Sequence, residues 1–411
     1  MKRDFNLIKS DKFKTNYLQV RYLIPASKQN MTYAAILSMY LTYCNNVENT
    51  YKKAYDKLDK LYGVKFDVSL AIKGNQITFD FYISFISSKY LINHEQYLNE
   101  VIKTFFNFIL DPLLANNTFS TEELNIKKYE LEQRIKNIYD DKMYYATEQF
   151  FKYFAKGYAL CLTTTGYLDE LKLITEDKLY DFYQKYLNNP YIIGMISSYD
   201  YEEIVELLNS KISYQPISKT LDFYTINNEQ SDEIIEQQDI FQSKLLLGYS
   251  VNDIVTKDNY YIYLIINVLF GMTSNSYLFK IVREQENLCY TIRSNYDQYS
   301  NSFVVFAGIE KINYQKTIKL VEEILNKIKK GLIKDNELRE AKIVLIDVVK
   351  KLSDSQEGYV NYYLNRTMQG LPNNLEEDIK KINEISLDEI IIKAQLIELK
   401  TKYLLSGEKS E

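Results

Sequence analysis

Few side chains in this 411-residue sequence are placed to do chemistry. His94 is its only histidine, so a zinc site built on two histidines one helical turn apart is absent. Cys44, Cys161 and Cys289 together with His94 would make a Cys3His set. No two of the cysteines stand at the short spacing such sites use. His94 itself, in NHEQ, reads as a surface or capping residue at a helix start. Asp140-Asp141 and Glu122-Glu123 read as solvated helix charge rather than an acid/base pair. Gly271-Met272-Thr273-Ser274 is too short for a nucleotide loop, and no Walker pattern occurs. What remains is a pair, Arg283 and, seven residues later, Tyr290. Both lie in the stretch 270–309, FGMTSNSYLFKIVREQENLCYTIRSNYDQYSNSFVVFAGI. Taken singly, Arg283 is a solvated cation at a helix end. Tyr290 alone is a half-buried strand aromatic, one of 39 tyrosines.

The elements that must position this pair can be read from periodicity. Thr273 to Ser276 make a polar turn that opens a helix through Leu278, Phe279, Ile281 and Val282. Two alternating runs follow, 288–293 and 302–307, and alternation over four to eight residues marks a half-buried strand. Earlier in the chain, 14–24 reads as a strand and 31–61 as one or two helices. Runs 65–73 and 76–87 form a hairpin about Gly74-Asn75. Helices are expected over 93–110, 120–154 and 175–187, the second opened by the capping box Ser120-x-x-Glu123. Residues 191–197 read as a strand. The polar stretch 209–238 reads as a linker. The same order then recurs: strand 244–251, helix 258–270, hairpin, helix 313–330, closing strand 403–405. Glu123, Leu131 and Asp140 are matched by Glu337, Leu345 and Asp354 at a constant offset of 214. Ile174-Thr175 is matched by Ile385-Ser386 at an offset of 211. One order written twice predicts two tandem copies of one α+β domain, 1–208 and 239–411, joined by 209–238.

Composition bounds the function. The net charge of −5 gives no electrostatic case for nucleic acid. The start, MKRDFNLIKSDKF, lacks the apolar core of a signal peptide, and no apolar run approaches the ~18 residues of a membrane span. Three cysteines, odd in number and far apart, read as free thiols of a reducing compartment, so a cytoplasmic location is expected.

The stretch 270–309 resembles the second-half signature of the pitrilysin/insulinase-like zinc peptidases, the inverzincins. The residues that carry the likeness are Ser276, Leu278, Phe279, Arg283, Leu288, Cys289, Tyr290, Ala307, Gly308 and Ile309. In that family the Arg and Tyr are a substrate-binding and transition-state pair, which implies substrate binding for Arg283 and a catalytic role for Tyr290. The first half of an inverzincin carries His-x-x-Glu-His and a later Glu. Here Thr32-Tyr33-Ala34-Ala35 resembles the lead-in to that motif. The five motif positions would be Ile36, Leu37, Ser38, Met39 and Tyr40, and the later Glu falls at Lys127 or a neighbour in NIKKYELEQR. Ile36, Met39 and Tyr40 would replace the three motif side chains, so no metal is expected in this chain. Residues 119–146, with Gln133-Arg134-Ile135 and Ile138-Tyr139-Asp140-Asp141-Lys142, resemble a bacterial branch without the zinc motif, encoded beside a sister that has it. Some of that branch carry a name linked to modification of translation elongation factor P. The resemblance implies the Arg/Tyr-bearing subunit of a heterodimeric zinc peptidase. Its partner would be a sister of similar size that holds the zinc, and its substrate an unfolded peptide enclosed in a chamber. The alternative is a structural or peptide-binding subunit with no part in catalysis.

Overall fold

The structure, a computed structural model, describes residues 6–42, 44–92, 96–187, 192–211, 221, 223–226, 232–256 and 259–407. Its ten longer strands form two five-stranded sheets. The first contains β1 (Asn6–Lys9), β2 (Thr15–Pro25), β3 (Lys65–Lys73), β4 (Gln76–Ile86) and β7 (Ile192–Ser197), in the order β1-β7-β2-β4-β3. A two-stranded ribbon, β5 (Leu114–Ala115) with β6 (Thr118–Phe119), stands apart from it. The second sheet contains β8 (Asp232–Gln238), β9 (Ser243–Val251), β10 (Cys289–Asp297), β11 (Ser302–Ile309) and β12 (Ile397–Gly407), in the order β10-β11-β9-β12-β8. In each sheet the outermost short strand pairs in parallel, β1 with β7 and β8 with β12. The remaining pairs are antiparallel. The repeat read from the sequence is thus a repeat of sheet topology, strand for strand, and the α+β class holds.

Alternation explains the inner layer of each copy. Leu18, Val20 and Tyr22 on β2 and Phe79, Phe81 and Ile83 on β4 share one core with Phe105 of helix Tyr97–Leu110 and with helix Lys28–Leu41. Leu245, Leu247 and Tyr249 on β9 and Phe303 and Val305 on β11 do the same with Ile265, Val321 and Ile324.

The outer faces hold a feature that periodicity does not reveal. By contacts the chain divides into two compact units, and neither is continuous in sequence. The first comprises Met1–Asn137, Leu162–Leu221 and Leu352–Asn373. The second comprises Ile138–Cys161, Asp222–Lys351 and Asn374–Glu411. Each unit therefore takes a helix from the other half of the sequence. The run 120–154 is two helices, Thr121–Asn137 and Lys142–Phe154, and the Asp141 side chain caps the second. Helices Asp335–Lys351 and Gln356–Met368 repeat them at the offset of 214, with Ser355 as the cap. In the first unit Val360 and Leu364 of helix Gln356–Met368 press on Gly194 of β7. A Cβ there would stand 2.5 Å from Val360 Cγ1. In the second, Phe150 and Phe154 of helix Lys142–Phe154 press on Gly248 of β9, where a Cβ would stand 2.5 Å from the Phe154 ring. Glycine is required at both places because the helix rides directly on the strand. The boundaries 1–208 and 239–411 follow the repeat but not the compact units. The expected linker 209–238 ends in a strand, β8, hydrogen-bonded to β12.

The outer face of the first sheet is polar. Arg21, 1% exposed, donates from Nε and Nη2 to both Asp80 carboxylate oxygens at 2.7 and 2.8 Å. It also donates to Asn365 and Asn361 of helix Gln356–Met368, each at 2.9 Å. Lys73 donates to the same Asn365 oxygen. Burial, aided by the Arg21 charge and opposed by Asp80, pushes its ammonium from 10.5 down to about 7. Between those values the unfolded chain holds the proton and the folded chain does not, so folding stability rises with pH across that window. The penalty is complete below about 7. Urea melts from pH 7 to 10 are expected to show this slope, reduced in Lys73→Met; an unchanged slope in the variant would refute the assignment.

Candidate functional site

The two places that the sequence singles out lie one in each unit. The first is the zinc-motif position. Helix Lys28–Leu41 is buried nearly all round, with Ser27 as its N-cap. Ile36, Leu37 and Tyr40 are fully buried on it, and Met39 is 5% exposed. The Tyr40 hydroxyl accepts from the Ser120 amide and donates to the Leu113 carbonyl, both at 3.0 Å, while its ring packs on Phe119. Burial lifts that hydroxyl to about 12. Ser38 donates back to its own helix, to Ala35 O. Helix Thr121–Asn137 packs alongside and carries Lys127, 7% exposed, whose ammonium lies 3.2 Å from Glu130 and 3.7 Å from Glu123. Cys44, buried near Glu123 and Lys127, has its thiol pushed up to about 11 by desolvation. Apolar side chains, a tied phenol and a buried ammonium do not fit a zinc ion. Among the described residues no group of three or more His, Cys, Asp or Glu side chains could hold a metal. His94 lies outside the described residues. The carboxylate pair about Lys127 escaped the sequence reading, because charges three and four apart on a helix normally face solvent.

The second place is Arg283 and Tyr290. Arg283 sits in the helical turn Leu278–Gln285, which closes with the i→i−5 bond from Glu286 N to Ile281 O, 3.0 Å. Such widened turns are rare and occur often at functional sites. Asn287, at φ 51°, then turns the chain into β10. Phe279 lies one turn before Arg283, and the guanidinium stands 4.4 Å from its ring centroid. The same guanidinium is 5.9 Å from the Tyr290 ring. Tyr290 is the extra residue of a β-bulge: Cys289 pairs with Ile309 and Thr291 with Gly308, leaving Tyr290 without a partner. A bulge re-aims its side chain, and Tyr290 is 75% exposed. Cys289, next to it, is buried, and desolvation raises its thiol to about 11 although Arg283 pulls the other way. Among the described residues neither the Arg283 guanidinium nor the Tyr290 hydroxyl has a hydrogen-bond or ion-pair partner. Tyr290 borders a groove of about 770 Å³ whose wall includes Phe241, Gln242 and Ile312. The structure therefore brings Arg283 and Tyr290 together at an open surface. It places Ile36, Met39, Tyr40 and Lys127 in the packed interior of the other unit. No described helix is long and apolar enough to cross a membrane.

Residues 173–345 match the family profile described as peptidase M16 inactive domain. The chain is 25% identical over 410 residues to the "Probable inactive metalloprotease YmfF" of Bacillus subtilis (strain 168), covering 98% of this chain and 95% of that protein. The crystal structure of a conserved protein from Enterococcus faecalis V583 superposes with a TM-score of 0.89 at 26% identity, covering 98% of this chain and 96% of that one. A peptidase M16 inactive domain from Pseudomonas fluorescens superposes with a TM-score of 0.78 at 13% identity, over 98% and 96% of the two chains. At that identity the likeness speaks for the fold. The profile over residues 173–345, the full-length relative and the duplicated sheets agree, and the chain is similar to the peptidase M16 inactive-domain family.

Proposed function

We propose that this chain is the non-zinc subunit of a two-chain metallopeptidase, supplying Arg283 and Tyr290 to a peptide whose cleavage is driven by a zinc-bearing sister. The observation that carries the reading is the Arg283–Tyr290 pair: a half-buried guanidinium 5.9 Å from the ring of an exposed tyrosine that borders a groove, both without hydrogen-bond or ion-pair partners among the described residues. A guanidinium costs nothing to leave free in water. Two unpartnered groups of this chemistry, one held on Phe279 and one turned outward by a bulge, suit a ligand that arrives later. Arg283 presents a planar fork to a substrate carbonyl. Tyr290 offers an O–H to the oxyanion that develops as the peptide bond is attacked. Peptide bound in a chamber, and a cytoplasmic site of action suggested by the three unpaired cysteines, complete the reading. The alternative, a structural or peptide-binding subunit without a catalytic part, is favoured by the printed name of the Bacillus relative.

The test is assembly. The chain alone is expected to hold no tightly bound zinc after dialysis and to cleave no peptide. Mixed with a family chain of similar size that carries His-x-x-Glu-His, it is expected to form a stable heterodimer burying at least ~1,000 Å², and activity is expected only in the mixture. One zinc per chain in the isolated protein, or homo-oligomers alone at every concentration in co-purification from the native host, would sink the reading.

A further inference from the structure

We propose that the groove beside Tyr290 is a subsite for the C-terminal residue of a peptide. It would seat a large apolar side chain against Phe241 and Ile312 and hold the α-carboxylate at Arg283. The proposal rests on the reading above, in which Arg283 and Tyr290 face a peptide.

The first argument is exposure. Phe241 is 76% exposed, Ile312 87% and Tyr290 75%. They come from three separate places: the loop before β9, the turn Lys311–Asn313 and the bulge in β10. A single exposed apolar side chain needs no explanation, but three converging on one concave surface make a patch that water covers poorly. The groove, about 770 Å³, lies in the size range of ligand sites.

The second argument is charge. Glu310 and Lys311 both line the groove and oppose each other in sign. Glu286 is paired with Lys316 at 2.8 Å. Arg283 stands beside the groove, its guanidinium 5.9 Å from the ring of Tyr290 in the groove wall, and it has no carboxylate partner among the described residues, so it is a cation available to a ligand at that edge. The groove therefore asks for an apolar group and a carboxylate side by side. An internal acidic residue supplies a carboxylate but puts it on a different residue from the apolar side chain. Only a C-terminal residue carries both on one carbon.

The third argument is the polar wall. Lys244 donates to Gln242 Oε1 at 2.7 Å and fixes the amide. The amide lies over Gly308, where a Cβ would come within 2.6 Å of Oε1. Its NH2 has no acceptor among the described residues, and a bound peptide carbonyl would provide one. Cleavage after a large apolar residue leaves a peptide of this kind on its N-terminal side, so the subsite would retain products of that class.

Binding to the isolated chain tests this without any partner. N-acetylated tetrapeptides of alanine ending in Phe or Leu with a free carboxylate are titrated by calorimetry. The controls are the same peptides as C-terminal amides, a free acid ending in Ser, and an amidated peptide with an internal Asp beside Phe. The apolar free acids are expected to bind about tenfold more tightly than every control. Phe241→Ala and Ile312→Ser, both at exposed positions, are each expected to weaken them about fivefold. Arg283→Gln should abolish the preference for acid over amide. Equal binding of acid and amide, equal binding of the internal Asp peptide, or indifference to Phe241→Ala and Ile312→Ser would overturn the proposal. The outcome is separable from the fate of the catalytic reading. Tyr290→Phe kinetics in the heterodimer test the hydroxyl, whereas these titrations test the groove and the guanidinium.

Discussion

In the reconstituted heterodimer, Tyr290→Phe is expected to lower kcat by about 10²–10³ and leave KM almost unchanged. The substitution removes one oxygen. The ring remains where it is, and with 75% of the residue in solvent no packing is lost. The hydroxyl has no partner among the described residues, so its removal leaves no buried group unsatisfied. What it takes away is a donor aimed at charge that exists only as the peptide bond is attacked, worth roughly 2.7–4 kcal/mol in known oxyanion sites. Steady-state kinetics on the mutant pair, with assembly checked by gel filtration, give the answer. Wild-type kcat/KM in Tyr290→Phe would end the claim that this chain takes part in the chemistry.

Arg283→Lys separates the two roles further. Lysine keeps the charge but loses the planar fork and its stack on Phe279. The substitution should raise KM more than it lowers kcat. If both variants cleave peptide as wild type does, the chain is a structural or peptide-binding subunit.

The sequence singled out Arg283 and Tyr290 through their resemblance to a family signature, and a helix turn and a strand separated by a short loop bring residues seven apart to 5.9 Å. That Tyr290 turns outward was not legible. The bulge depends on how Cys289 and Thr291 register against Ile309 and Gly308, a long-range pairing no local pattern encodes. The duplicated fold was legible at the offset of 214, and both hairpins were found. The exchange of helices Lys142–Phe154 and Gln356–Met368 was not, because an amphipathic helix declares that it has an apolar face and not which sheet that face will cover. Strand β8 was read as linker for a related reason. DEIIEQQ is polar enough to pass for a connector, and it becomes a strand only because β12 offers it a parallel edge. Glu123 misled in the opposite direction. It reads as solvated helix charge, yet its carboxylate lies 3.7 Å from the ammonium of the buried Lys127.

Arg21→Leu is expected to cost about 3–5 kcal/mol of stability, the largest effect of any single change outside the apolar cores. Arg21 and Asp80 are cross-strand neighbours on β2 and β4, 1% and 5% exposed, and joined by two parallel hydrogen bonds. Leucine fills similar space but leaves the Asp80 carboxylate buried without its cation. It also removes the donors to Asn361 and Asn365, two of the polar contacts between helix Gln356–Met368 and the sheet. Lys73 would remain, donating to Asn365; burial still lowers its ammonium, but losing the Arg21 charge removes the second cause, so any compensation from Lys73 should appear at the lower end of the pH range. The double change Arg21→Leu with Asp80→Leu removes both charges together and should cost less than Arg21→Leu alone, since no uncompensated ion is left behind. Urea denaturation of the two single variants and the double variant closes the cycle. A double variant less stable than either single one would show that the ion pair is not what Arg21 contributes. Limited proteolysis adds a local reading: in Arg21→Leu, cleavage should begin within 352–373, a segment that the first sheet holds in part through this side chain and through Val360 and Leu364 on Gly194.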